Sequence, residues 1–68
     1  MIRLARLDGL RWEALFHMMA AEPGTAARRI RAARQNRLNA AWRAERERVE
    51  LARLRRVAAY QKRSRRAA

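Results

Sequence analysis

Arginine side chains make up most of the groups in this sequence that could do chemistry, and their chemistry is anion binding. The chain has 18 Lys and Arg residues against 6 Asp and Glu, and every one of these cations except Lys62 is Arg. A guanidinium group presents a planar fork of donors that fits a phosphate bidentately. A GC-rich coding sequence would also favour Arg over Lys, but it does not account for the shortage of acids. The net charge of +12 predicts an anionic partner, because a compact chain with this charge repels itself.

The excess charge lies in two blocks that contain no acid. Residues 1–25 and residues 43–50 each contain three Arg and three acids, so both segments sum to zero. The first basic block carries +5 and consists of Arg28, Arg29, Arg31, Arg34 and Arg37. The second basic block carries +7 and consists of Arg53, Arg55, Arg56, Lys62, Arg63, Arg65 and Arg66. Because a merely solvated helix face usually mixes both signs, the two blocks predict contacts with the phosphates of a nucleic acid, RNA in preference to DNA.

The spacing within each block suits a helix among phosphates. In the first block an arginine recurs at every third residue from 28 to 37, so on a helix these side chains would precess by about 60° each and face phosphates on two sides. In the second block Arg53, Arg56, Tyr60 and Arg63 fall within about 80° of one helix face. A ring among guanidinium groups is typical of sites that stack an unpaired base. The alternative is that Tyr60 closes a small hydrophobic contact near the helix end.

The first basic block and its surroundings resemble a known RNA-binding motif. The stretch Thr-Ala-Ala-Arg-Arg-Ile-Arg-Ala-Ala-Arg-Gln-Asn-Arg at 25–37, with Trp42 beyond it, resembles the arginine-rich helices with which lambdoid phage antitermination proteins grip RNA hairpins. The resemblance covers about 18 of the 68 residues and implies a helix that holds RNA through its guanidinium groups. Trp42 lies further from Thr25 than the aromatic residue does in those peptides, and its spacing predicts packing against the first helix.

The sequence contains few residues that could act in catalysis or bind a metal ion. His17 is the single histidine and there is no cysteine, so we expect no metal site and no nucleophile–base pair. The three acids of residues 43–50 stand among arginines and predict ion pairs rather than an acid–base couple. We therefore expect a protein without catalytic activity, cofactor or small-molecule substrate.

The apolar segments are short. Residues 10–21 are interrupted by charged side chains and fall below the roughly 20 apolar residues of a membrane span, so we expect no membrane-spanning segment. Residues 1–7 have the basic amphipathic character of an organelle presequence, but Asp8 follows and serine is absent before Ser64. We expect the protein to lie in the cytoplasm or within a nucleoprotein particle.

A first, short helix is predicted upstream of the breaker at residues 22–25, Glu-Pro-Gly-Thr. Asp8 is suited to cap a helix of about 13 residues that begins at Gly9, within a short amphipathic docking unit that covers residues 1–22. We predict that it docks on a protein partner through Trp12, Leu15, Phe16 and Met19. The opposite face is apolar as well and carries Leu10, Ala14, Met18 and Ala21. A helix that is apolar nearly all round is expected to pack on two sides.

A second, much longer helix is predicted over residues 25–63, capped by Thr25 and free of Pro and Gly. Residues 64–68 are expected to form a basic tail that is disordered alone and ordered against phosphate. The first helix is expected to cover only the proximal third of the second helix. The predicted contacts there are Ile30, Ala33, Leu38, Ala41 and Trp42. Beyond residue 48 the apolar residues spread around the helix, which disfavours a simple coiled coil.

The predicted fold is therefore all-α: a short N-terminal helix, a Pro-Gly turn and one long arginine-rich helix in an extended helical hairpin. The function expected of it is non-enzymatic nucleic-acid binding, as an accessory component of a ribonucleoprotein or ribosome. Two alternatives stay open. One is a structural or assembly protein of a larger particle such as a phage virion, which binds packaged nucleic acid or acidic protein surfaces. The other is a basic helix on an anionic membrane surface.

Overall fold

Two helices joined by a short turn make up the chain. The structure, a computed structural model, describes the backbone of residues 2–67 and the side chains of residues 3–67. Helix α1 spans Ile2–Met19 and helix α2 spans Ala26–Ala67. The principal extents are 64 × 16 × 11 Å and the radius of gyration is 18.8 Å, against about 11 Å for a compact chain of this length. The predicted all-α, extended helical hairpin is confirmed.

Helix α1 begins earlier than predicted. It starts at Ile2, so the prediction that Asp8 caps a helix beginning at Gly9 is wrong. The six residues before Asp8 contain no breaker and carry apolar side chains at helical spacing, so they extend the helix by almost two turns. Asp8 lies inside this helix, where its Oδ1 accepts a hydrogen bond from Arg11 Nε at 2.8 Å.

The turn uses the glycine and threonine as predicted. Gly24 has φ of +81°, a left-handed conformation that a residue with a Cβ adopts at a cost. Thr25 caps α2, because its Oγ1 accepts a hydrogen bond from the backbone N–H of Arg28 at 3.2 Å. The same hydroxyl donates to the carbonyl oxygen of Glu22 at 2.6 Å, which closes the turn.

Helix α2 continues past its predicted end at Arg63. Residues 64–67, which we expected to form the start of a disordered tail, are helical, and Ala68 lies outside the described residues. This segment contains neither Pro nor Gly, and the cations Arg65 and Arg66 in the last turn interact favourably with the negative end of the helix dipole.

A narrow apolar seam holds the two helices together. Ala14 and Ala21 are buried, with 2% and 7% of their surfaces exposed, and their small side chains let the helices approach closely. Leu7, Leu10 and Met18 lie half-buried around them. Helix α1 therefore packs on α2 through the face that carries Leu10, Ala14 and Met18, opposite the predicted docking face.

The face of α2 that meets α1 differs in part from the predicted one. Leu38 and Trp42 are half-buried there, as predicted. Ile30, Ala33 and Ala41 are exposed, so those three predicted contacts are wrong. Polar residues take the corresponding positions instead, and two of them, Arg28 and Arg31, donate hydrogen bonds to backbone carbonyls from there. They are Arg28, Arg31, Gln35 and Asn39.

Helix α1 covers more of α2 than its proximal third, because its earlier start lengthens the hairpin. Near the start of α1, Arg3 Nε lies 3.7 Å from Glu45 Oε2. Val49 is half-buried. Beyond it lies the distal segment, residues 51–67, in which every residue except Ala52 is exposed. This segment extends about 25 Å past the hairpin as a single helix.

Neither helix of the described chain has an apolar stretch long enough to cross a membrane.

Candidate nucleic-acid interface

Three arginines of the first basic block turn back onto backbone carbonyls, one near the end of α1 and two in the turn that follows it. Arg28 Nη1 donates to the carbonyl oxygen of Ala21 at 2.9 Å, and Arg31 Nη1 donates to that of His17 at 3.0 Å. Arg29 Nη1 makes a longer hydrogen bond, 3.4 Å, to the carbonyl oxygen of Gly24. These side chains were predicted to bind phosphate, but in the free chain they serve first as caps.

Helix ends explain this arrangement. The last four carbonyls of an α-helix have no partner within the helix and carry the negative end of its dipole. Guanidinium groups that enter from the next helix satisfy both needs at once. The sequence did contain a signal for such contacts, because a cluster of arginines directly follows a helix end and a tight turn. Charge alone, however, did not show which arginines cap the helix end and which are free to contact phosphate.

The remaining arginines of the first block point outward. Arg34 and Arg37 are exposed, and within the described residues neither of them forms an ion pair. The three-residue spacing therefore carries the arginines from the seam, where Arg28 and Arg31 lie half-buried, to the solvent side of α2. Only the second half of this block is free to meet a phosphate without disturbing the hairpin.

The second basic block is exposed along its whole length. Its members lie in the distal segment, which has no acid and no covering helix. Arg53 pairs with Glu50 just outside the segment, with Arg53 Nη2 at 2.9 Å from Glu50 Oε1. Within residues 3–67 the others of the block form no ion pair; they are Arg55, Arg56, Lys62, Arg63, Arg65 and Arg66. Their charge of +6 thus stays unbalanced by side chains of this chain.

Tyr60 stands among these cations. Its surface is 67% exposed, so within the described residues it makes no packed hydrophobic contact near the helix end, the alternative to a stacking role. On the helix it lies within about 60° of Arg56 and Arg63. An exposed ring next to two guanidinium groups offers a flat surface for a base beside contacts for its phosphates.

Two of the three acids in residues 43–50, the balanced segment between the blocks, form ion pairs. Glu45 is 7% exposed and accepts two hydrogen bonds from Arg48, at 2.7 and 3.2 Å. These hydrogen bonds, with the charges of Arg48 and Arg3, lower the pKa of Glu45 although burial acts to raise it. The hydrogen bonds from Arg53 likewise lower the pKa of Glu50. Of these ion pairs only the one between Arg3 and Glu45 joins the two helices; the other two lie within α2.

Trp42 packs against α1, as predicted from its spacing. The Arg11 guanidinium lies 3.8 Å from the centre of the Trp42 ring, and that of Arg46 lies 5.0 Å from it. Arg11 also lies 5.3 Å from the centre of the Trp12 ring. Because guanidinium groups already lie over the Trp42 ring, it is poorly placed to stack a base.

The predicted docking residues of helix one lie on its outer face. Trp12, Phe16 and Met19 are 48%, 65% and 60% exposed, and Leu15 at the edge of this face is half-buried. Trp12, Phe16 and Met19 lie about 140–160° from the buried Ala14 on the helix, so these three do not hold the hairpin together, and Leu15 lies about 100° from it. A protein partner could reach them without displacing α2.

Groups that could hold a metal ion are scattered. Among the described residues no cluster of three or more His, Cys, Asp or Glu side chains occurs. The side chain of His17 is exposed, and it is the backbone carbonyl of this residue that is engaged by Arg31.

Comparison with protein-family models, with curated protein sequences and with solved structures finds no match to this chain. What the interface does must therefore follow from the residues described above.

Proposed function

We propose that this chain is a non-enzymatic nucleic-acid-binding protein that holds RNA phosphates with its distal segment, as an accessory component of a ribonucleoprotein such as a ribosome. The observation that carries this proposal is the unbalanced +6 charge on the distal segment, the part of α2 that projects past the hairpin and contains no acid. A lone helix of this kind gains little from packing. Phosphates would supply the counter-charge that removes its self-repulsion.

The shape of the distal segment supports contact with nucleic acid from more than one side. On helical spacing, Arg55, Lys62 and Arg66 lie on one side, whereas Arg56 and Arg63 lie about 90° further round. Arg34 and Arg37 add two exposed cations on the proximal half of α2. A helix with cations over so wide an arc fits between phosphates that approach from two directions.

RNA is favoured because of Tyr60. Sequence-specific and structure-specific RNA recognition relies on unpaired bases that stack on aromatic side chains, which regular duplex DNA does not offer. The exposed ring of Tyr60, which lies between Arg56 and Arg63 along the helix, supplies such a surface. We expect the RNA partner to contain a hairpin or bulge, with the cations of the distal segment on its stem and Tyr60 at the unpaired base.

Fluorescence anisotropy with a labelled RNA hairpin tests the proposal. Replacing Arg56 and Arg63 by Gln removes two cations from the distal segment and keeps helix propensity nearly constant. Replacing Arg6 and Arg43 by Gln is the matched control, since both are exposed and neither is in an ion pair of the described chain. The first variant should bind at least about tenfold more weakly than the control, as expected for two lost charge-assisted contacts. Equal binding by both variants would refute the proposal.

A second candidate function rests on the outer face of α1. Exposed Trp12, Phe16 and Met19 are suited to anchor the chain in a larger particle, such as a phage virion, where the basic helix would meet acidic protein instead of RNA. Competition distinguishes the two functions. If poly-glutamate at equal charge concentration displaced the RNA hairpin as effectively as unlabelled RNA, the assembly function would be favoured.

A further inference from the structure

An open groove lies between the first half of α1 and the middle of α2, beside the ring of Trp42. We call it the tryptophan groove. Its volume is about 600 Å³, within the range of small-molecule binding sites. Most of its lining is apolar or aromatic, and two lining residues are charged; the lining consists of Leu4, Ala5, Trp12, Trp42, Asp8 and Arg11. An apolar groove with a few polar groups is the usual form of a ligand site.

The two charged residues of the tryptophan groove have hydrogen-bonding groups to spare. Arg11 Nε donates to Asp8 Oδ1 at 2.8 Å, which holds the two side chains next to each other. Within the described residues the Nη nitrogens of Arg11 donate no hydrogen bond and Oδ2 of Asp8 accepts none. The side chain of Arg11 is only 23% exposed, so water reaches these donors only in part. A ligand in the groove therefore meets donors and an acceptor side by side.

Two aromatic rings flank this ion pair. The Arg11 guanidinium lies 3.8 Å from the centre of the Trp42 ring and 5.3 Å from the centre of the Trp12 ring. Trp42 is half-buried, whereas Trp12 is 48% exposed. Trp12 thus offers ring surface to a ligand beside the plane of a guanidinium group. Unpaired bases stack on both kinds of surface.

A nucleobase matches the polar groups of the groove as well as its rings. The Watson–Crick edge of every base carries donors and acceptors next to each other, and proteins read unpaired bases at this edge. Oδ2 of Asp8 is suited to accept from a base N–H, while Nη of Arg11 donates to a ring nitrogen or carbonyl oxygen. A purely apolar ligand would leave both groups unpaired, which costs free energy.

A cation next to the groove is suited to the phosphate of such a ligand. The Arg46 guanidinium lies 5.0 Å from the centre of the Trp42 ring. Within residues 3–67 Arg46 forms no ion pair, whereas the charge of Arg11 is balanced by Asp8. The net charge of these three residues is therefore positive, and it comes from the group that is free to bind an anion.

We infer that the tryptophan groove binds one unpaired nucleotide. Its base stacks on Trp12 and pairs its edge with Asp8 and Arg11, and its phosphate meets Arg46. A free nucleotide and an unpaired nucleotide of an RNA strand present the same groups. The inference does not rest on the RNA-binding proposal, because the groove shares no residue with the distal segment.

Tryptophan fluorescence tests the inference, because the two tryptophans of the chain both line the groove. Cytidine monophosphate should quench the fluorescence of the intact chain saturably. Trp12→Ala, followed through Trp42, should raise the dissociation constant at least about fivefold, as expected for lost stacking. Phe16→Ala is the matched control, since it removes another exposed ring of α1 that lies outside the groove, and should leave the constant unchanged. Absence of saturable quenching, or equal effects of the two variants, would overturn the inference.

The phosphate contact has its own readout. Cytidine monophosphate should bind more tightly than cytidine, and Arg46→Gln should abolish this preference. Arg34→Gln removes the same charge from an exposed arginine elsewhere on α2 and should keep it. A preference that survives Arg46→Gln, or displacement of the nucleotide by an equal concentration of inorganic phosphate, would overturn the inference.

Competition identifies the source of the nucleotide. The measurement uses a chain with Arg56→Gln and Arg63→Gln, so that contacts of the distal segment contribute little. An RNA hairpin with one unpaired terminal cytidine that displaces cytidine monophosphate at a lower concentration than free nucleotide does would assign the groove to RNA. A hairpin that needs a higher concentration would assign it to free nucleotides. Both results support a nucleotide site, whereas a fully paired hairpin that competes equally well would contradict it.

Discussion

Arg31 donates a hydrogen bond from Nη1 to the carbonyl oxygen of His17, 3.0 Å away and 14 residues earlier in the chain. This contact joins the start of α2 to the end of α1. It gives a structural role to an arginine whose spacing had predicted phosphate binding. Together with Arg28, it divides the first basic block into residues that hold the hairpin and residues that are free.

This division predicts different effects of the same substitution within one block. Replacing Arg28 and Arg31 by Gln should lower the free energy of unfolding by about 1 kcal/mol for each lost charged hydrogen bond, because carbonyls at the end of α1 lose their partners. Replacing Arg34 and Arg37 should change it by less than about 0.5 kcal/mol. Urea unfolding followed by circular dichroism measures both. Similar losses from the two pairs would show that the capping contacts do not stabilise the hairpin.

The two faces of α1 should respond oppositely to a new charge. Ala14→Asp places a carboxylate at the buried contact with α2, where an unpaired charge costs several kcal/mol, so the hairpin should open. Phe16→Asp alters a side chain that is 65% exposed and should leave helix content nearly unchanged. Far-ultraviolet circular dichroism separates the two results. Unfolding by Phe16→Asp would mean that α1 packs through its predicted docking face.

Replacing each of the two glycines by alanine should change the free energy of unfolding in opposite directions. Gly9 lies inside α1, and an added Cβ would meet no neighbouring atom within 4 Å, so Gly9→Ala should raise the free energy of unfolding by about 0.5–1 kcal/mol. Gly24→Ala should lower it by a similar amount, because φ there is +81°. Thermal melts of both variants provide the measurement. A destabilising Gly9→Ala would contradict the extension of α1 upstream of Asp8.

Acid should weaken the hairpin through Glu45. Because the hydrogen bonds from Arg48 lower the pKa of this carboxyl, its ion pairs stabilise the fold above the ordinary pKa of about 4.3. That stability is lost as the pH falls through the lowered value in the folded state. The melting temperature should therefore drop in this range, and Glu45→Gln should show a smaller drop from a lower starting point. Identical drops in both proteins would exclude Glu45 as a source of the acid sensitivity.

Helix number and type could be predicted from the sequence because breakers are strong local signals. Pro23 and Gly24 sit between two long runs of helix formers, so the hairpin followed directly. The start of α1 was missed because Asp8 suits a helix cap as well as a helix interior, and the choice depends on Arg11 nearby. Local preference does not decide such cases.

The face of α2 that packs against α1 was harder to predict. Apolar residues such as Ile30 were expected at the seam, yet arginines lie there because their donors reach the end of α1. Such contacts depend on the relative placement of two helices, which single-helix periodicity does not contain. The exposure of the second basic block was predictable from the residues themselves. Its sequence contains no acid, and it lacks a stripe of apolar residues that could pack on another helix.

The salt dependence of RNA binding tests the central claim, that positioned cations of the distal segment contact phosphates. Each lost contact should reduce the slope of log affinity against log salt by about 0.7 for single strands and about 0.9 for duplex DNA. Replacing Arg56 and Arg63 by Gln should therefore flatten the slope by about 1.4 to 1.8 units. Replacing Arg6 and Arg43, with the same change in net charge, should flatten it by less than about 0.5. Equal slopes for the two variants would mean that binding follows bulk charge, and that the distal segment is not the interface.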